Sequence, residues 1–174
     1  FTSDRDSNFK SDLLTSSGAD FYVQVDVQIT RNDAGVASNT VLNITAFEIH
    51  TGASFSNKTG ICKFASEDYE KLIGKAFAEI QEEFLNTLLL KTDEIREIGR
   101  ATIVEFNLEE GSKLNFDIEL PSGDYLNEII EDWISTNAYK GRANLSGILE
   151  NKIMFDEVRI PLYDQETSKP YNLN

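Results

Sequence analysis

The run from Phe21 to Thr30 limits what this chain can fold into more than any other. Phe21, Val23, Val25, Val27 and Ile29 alternate with Tyr22, Gln24, Asp26, Gln28 and Thr30. Successive side chains of an extended strand point to opposite faces, so a period of two specifies a strand with one apolar and one polar face. Arg31, Asn32, Asp33, Ala34 and Gly35 then supply turn chemistry, and Val41 to Ile49 is a second β-rich run. Together they predict an antiparallel hairpin with a longish loop. Leu42, Ile44 and Ala46 share one face while Phe47 and Ile49 fall on the other, which predicts a bulge or a strand covered on both sides. Ser54 to Phe64 reads as a third, more polar strand at a sheet edge.

Ser66 is a good N-cap residue, with Glu67 and Asp68 where the helix dipole favours acids. Tyr69, Leu72, Ile73, Ala76, Phe77, Ile80, Phe84 and Leu88 recur at three- and four-residue spacing, which predicts one long helix laid across the three strands. Asp93 to Ile98 adds a short helix that Gly99 ends.

A second unit begins near Arg100. Ala101 to Phe106 reads as a strand, Glu109 to Gly111 as a turn, and Leu114, Phe116, Ile118 and Leu120 alternate through a partner strand stopped by Pro121. Ser122 or Asp124 is expected to cap a helix whose face is Tyr125 or Leu126, Ile129, Ile130, Trp133 and Ile134 and which ends near Asn137. Gly141 to Glu150 reads as loop and Ile153 to Leu162 as a strand. The expected fold is α+β: two small packed α/β layers, βββα followed by ββαβ, with mainly antiparallel sheets. The corresponding boundaries are a lead-in or linker over 1–18, a βββα domain over 19–99, a ββαβ domain over 100–163 and a tail over 164–174. The chain starts at Phe1 rather than Met, which leads us to expect a removed upstream segment.

Apolar residues at 40% and charged residues at 26% place the chain among globular proteins rather than disordered ones. The net charge of −14 is spread along it, with 16 acids to 10 bases before residue 101 and 14 to 6 after. A field of that sign repels phosphate backbones, so nucleic acid is not an expected partner. No apolar run approaches the roughly 18 to 20 residues of a membrane span.

The search for chemistry gives little. No Gly-rich phosphate loop occurs, and one histidine, His50, with one cysteine, Cys62, cannot furnish a zinc or iron ligand set. Asp4, Asp6 and Asn8 match the first alternating ligands of a calcium loop, but Phe9 stands where Gly is required and Thr15 where the bidentate Glu belongs. A nucleophilic Cys62 would need His50 as its base. Carboxylate pairs such as Glu109 with Glu110, or Glu131 with Asp132, are common in a chain of 30 acids. No catalytic, cofactor-binding or metal residue is therefore assigned, and no cofactor. Trp133 reads first as core, from its spacing with Ile129, Ile130 and Ile134, and otherwise as a contact anchor.

The stretches GADFYVQVDVQI (Gly18 to Ile29) and LNITAFEIHTGASFSNKTG (Leu42 to Gly60), the pattern of Trp133, Asn137, Lys140 to Arg142, Asn151, Met154 and Phe155, and above all FDEVRIPLYD (Phe155 to Asp164) resemble a family of exported Bacteroidota proteins known only as a domain of unknown function. The resemblance implies the C-terminal part of a longer, exported precursor, periplasmic or outer-membrane-associated and open to lipid anchoring. It brings no catalytic residues. The function expected from all this is non-enzymatic: a cell-envelope binding or assembly component acting through a protein partner or its own copies. Its contact surface is expected at the Ser54–Phe64 edge or around Arg159, with Trp133, Arg159 and Tyr163 as candidate contact residues. Two alternatives are a carboxylate-dependent hydrolase of glycan or peptide, and a structural subunit of a virion or injection particle.

Overall fold

A computed structural model describes residues 18–164 and 166–171. The Asp4, Asp6 and Asn8 triplet, and the lead-in apart from Gly18, lie outside the described residues. The fold is α+β with antiparallel sheets, as the sequence implies, and the chain divides into two compact units, one up to Asp93 and one from Glu94.

The first unit is a three-stranded sheet of β1 (Phe21–Arg31), β2 (Ala37–Glu48) and β3 (Ser54–Cys62) with β2 in the centre. The β1–β2 turn is set by Asn32, whose Oδ1 accepts from the backbone N–H groups of Ala34 at 3.1 Å and Val36 at 3.0 Å. Leu42, Ile44 and Ala46 of β2 are buried on one face, and the bulge predicted near Phe47 is present. It lies on the β3 side, where Ala46 pairs with Ser56 but Phe47 with Ser54.

Helix α1 (Tyr69–Ala78) packs on β2 and β3 and buries Leu72 and Ala76. Its cap is Asp68 rather than Ser66. The Asp68 carboxylate accepts from Lys71 N–H at 3.0 Å, while Ser66 Oγ accepts from Asp68 N–H one step earlier. The single long helix is also corrected. The chain turns at Glu79 and Ile80, where Ile80 N–H reaches back only three residues to the Phe77 carbonyl, and α2 (Gln81–Ile98) starts afresh. The turn drops both Ile80 and Phe84 into the core, and it frees Glu79 to accept from Ile61 N–H at 3.1 Å. Helix α2 absorbs the short helix expected over Asp93 to Ile98 and ends at Gly99, which has φ +84° and donates to the Ile95 carbonyl.

The second unit has β4 (Arg100–Asn107), α3 (Leu126–Asn137), a short 3₁₀ turn (Tyr139–Gly141), β5 (Asn144–Leu149) and β6 (Lys152–Ile160), in sheet order β4-β6-β5. Its order is thus βαββ, not ββαβ. The alternating run Leu114 to Leu120 is not a strand. Phe116 is its buried anchor, clamped by backbone bonds to Glu150 and Asn127, while Leu114 is exposed. The expected loop over 141–150 contains β5 instead. A bulge at Ser146, between the pairs Leu145–Phe155 and Gly147–Met154, interrupts the alternation and hides the strand. A second bulge, at Asp156 and Glu157 of β6, lets Phe155 and Val158 both enter the core; Glu157 takes φ +52° to make it. Phe116, Ile134, Ile153, Phe155 and Val158 form that core, with Phe106 edge-on to Phe155. Each such fully buried apolar side chain contributes about 1.5–3 kcal/mol.

Candidate functional site

Helix α3 carries two apolar stripes rather than one. Leu126, Ile130 and Ile134, four residues apart, pack on the second core. Ile129 and Trp133, also four apart and so on one side of the helix, are 41% and 58% exposed, and Tyr125, the residue just before the helix, is 43% exposed. Core packing decides the first stripe and nothing in this unit's core uses the second. Trp133 is therefore an exposed side chain and not a core one. Glu128 and Asp132 border the outer stripe at helical spacing, giving an apolar ridge with an acidic flank.

Neither Ser122 nor Asp124 caps this helix. Its N-cap is Tyr125, which makes no side-chain capping bond. The first turn is fixed instead by Asn127, whose Oδ1 accepts from Glu128 N–H at 2.7 Å and whose Nδ2 donates to Asp117 at 2.9 Å. At the other end Asn137 Nδ2 donates to the Trp133 carbonyl at 2.8 Å. Both ends of the exposed stripe are thereby held.

Arg159 lies inside, 7% exposed. Its guanidinium pairs with Glu94 at 2.9 Å and donates to the Gly99 carbonyl at 3.1 Å, so it fastens the end of α2 to β6. Tyr163 is 58% exposed and lines an open groove of about 620 Å³ with Arg96, Tyr139, Asp164 and Ser168. A second groove of about 380 Å³ lies along Asn137, Lys140, Arg159 and Tyr171. Neither brings two carboxylates together. Asp164 is held below its ordinary range because it accepts hydrogen bonds from the backbone and hydroxyl of Thr167 and from the backbone of Glu166.

Other sequence candidates are not assembled. Cys62 is buried opposite Thr40, whereas His50 follows Glu48 beyond the far end of β2, on the order of 25 Å away along the strand. Glu131 and Asp132 are neighbours on a helix and point apart. Among the described residues, no three His, Cys, Asp or Glu side chains are grouped to hold a metal ion, and no helix is long and apolar enough to cross a membrane.

The chain is thus a pair of small antiparallel α+β units, the second displaying an apolar ridge. Residues 100–174 carry a domain of unknown function, DUF6175, by the match of its family model. The segment Phe155 to Asp164 and all of α3 lie within it, whereas Gly18 to Ile29 and Leu42 to Gly60 lie outside. No curated protein and no solved structure matches this chain.

Proposed function

We propose that this chain is a non-enzymatic binding or assembly component of the cell envelope, periplasmic or outer-membrane-associated, which works by protein–protein contact through the outer stripe of α3. The observation that carries this reading is the triplet of Tyr125, Ile129 and Trp133 left in solvent beside a fully formed core. Contiguous exposed apolar ridges with aromatic members are unusual on a surface with no partner, and Trp and Tyr are the residues that anchor interfaces. With Glu128 and Asp132 beside it on a chain of charge −14, the ridge fits a partner bearing an apolar groove rimmed by Lys or Arg. The envelope location is supported by the resemblance of Phe155 to Asp164, and the residues spaced before it, to exported proteins.

The test is site-specific photocrosslinking in the native cells, with the photoreactive residue at position 133 and, as control, at exposed Glu110 in the turn after β4. A discrete adduct in the envelope fraction from position 133, absent from position 110 and lost in an Ile129→Asp background, is the expected result. No adduct at 133, or fractionation of the chain with the cytoplasm, overturns it.

A further inference from the structure

The two edges of the first sheet are treated differently. On β3, Glu79 takes up the Ile61 N–H, a bulge disrupts the ladder at Phe55, and Lys58 pairs with Glu83. These are the devices that keep an edge strand from pairing with another chain. The expected contact edge at Ser54 to Phe64 is therefore the blunted one.

β1 is the opposite case. It runs eleven residues with its only register shift at its last residue, and its one charge before Arg31 is Asp26. Ile49 N–H donates to the Asp20 carbonyl, which makes Asp20 and Ile49 a hydrogen-bonded pair of the β1–β2 ladder. Backbone direction alternates along a strand, so the N–H and C=O groups of Phe21, Val23, Val25, Val27 and Ile29 point away from β2, toward the edge at which no described strand pairs. Their side chains share the face of Ala46, Ile44 and Leu42, yet α1 lies on β2 and β3, and Val23, Val25 and Val27 are 41%, 54% and 40% exposed.

From this geometry we infer that β1 is a self-association edge, at which a second copy of this chain pairs antiparallel about Val25 and joins the two three-stranded sheets into one. The strand is complementary to itself in that register. Val25 faces Val25 of the other copy, Val23 faces Val27 and Phe21 faces Ile29, each through outward-pointing backbone groups. On the opposite face Gln24 meets Asp26, a pairing whose chemistry already occurs within the strand, where Gln24 Nε2 donates to Asp26 at 3.0 Å. Shifting the two-fold axis to Asp26 would set two aspartates side by side, which is unfavourable, and shifting it to Gln24 or Val27 would shorten the apolar ladder. Because each copy carries −14, raising ionic strength should strengthen the association.

The experiment uses the full chain. Sedimentation equilibrium should give a dimer that tightens with salt, and Val25→Pro, which removes an outward N–H but no bond of the β1–β2 ladder, should give a monomer. Should Val25→Pro fail to fold by circular dichroism, oxidation of Val25→Cys decides alone. Two facing residues of a hydrogen-bonded antiparallel pair sit about 5.5 Å apart between Cα atoms, within disulfide reach. Two residues 26 would be diagonal and beyond it. A disulfide dimer from Val25→Cys, and none from Asp26→Cys or from the native chain with its buried Cys62, supports the register. A monomer at all concentrations and salts, or a dimer that Val25→Cys does not trap, overturns it. The inference is independent of the α3 stripe: Trp133→Ala should leave the dimer intact, and a monomeric chain that still crosslinks from position 133 would refute the dimer alone.

Discussion

The carbonyl oxygen of Ala76 lies 1.9 Å from where a Cβ on Gly60 would stand. Helix α1 is thus seated directly on the backbone of β3 at this point, with Gly60 opposite buried Leu42 on the helix-bearing face. Neither backbone can retreat easily, since α1 is also held by Leu72 and Ala76 in the core. Gly60→Ala should destabilise the first unit by at least about 1–3 kcal/mol, the usual cost of overpacking. A urea titration followed by circular dichroism would show the lower midpoint, and an unchanged midpoint would mean α1 does not sit so close.

Arg159 offers a contrasting test, because its surroundings are polar. Arg159→Met would keep most of the apolar stem but remove the guanidinium that pairs with Glu94 and donates to the Gly99 carbonyl. A loss of about 2–3 kcal/mol in the second unit is expected, from the lost charge pairing and the Gly99 carbonyl left without that donor. Arg159 is the more buried partner, so Glu94→Gln, which leaves its guanidinium without a counter-charge, should cost at least as much. Thermal melts of both variants would check the order.

The pH dependence follows from two carboxylates. Asp164 is lowered chiefly by its bonds from Thr167, and Glu105 chiefly by the hydrogen bond it accepts from Lys152 at 2.8 Å. A folded-state value below the unfolded one means that the ionised form favours the fold. The contribution is present in full above the ordinary carboxylate range and is lost as the pH falls through the lowered values. On acidification below about pH 4, the turn joining Tyr163 to Pro170 should loosen before the core does. Earlier loss of amide-exchange protection at Thr167 than at Phe155 would show it, and Asp164→Asn should abolish the pH dependence at Thr167.

Where side-chain periodicity alone decides an element, the sequence is readable: the alternation over Phe21 to Ile29 is β1, and Gly99 ends its helix as expected. The readings that fail do so where a backbone event has no residue signature. The turn at Glu79 and Ile80 contains neither Gly nor Pro, and its hydrogen bond to Ile61 is a tertiary one. The bulge at Ser146 breaks the period that would have marked β5, while Leu114 to Leu120 shows the period without a neighbouring strand to pair with. Trp133 shows the same limit at the site, since spacing by three and four places it on a helix but cannot say which of two apolar stripes meets the core. One signal was available: Tyr125, Ile129 and Trp133 are themselves four apart, a second stripe beside the first.

That distinction gives the last prediction. Ile134 is 5% exposed and contacts the second core, so Ile134→Ala removes buried methyl groups and leaves a cavity, at about 2–5 kcal/mol. Trp133 is one residue earlier and larger, yet 58% exposed, so Trp133→Ala should change stability by no more than about 0.5 kcal/mol. The two effects run against side-chain size, which separates a folding role from a contact role without knowledge of the partner. Denaturant midpoints of the two variants, measured beside the native chain, give the comparison. If Trp133→Ala proved as costly as Ile134→Ala, the outer stripe would be part of the fold, and its aromatic anchor would no longer be available to hold another protein.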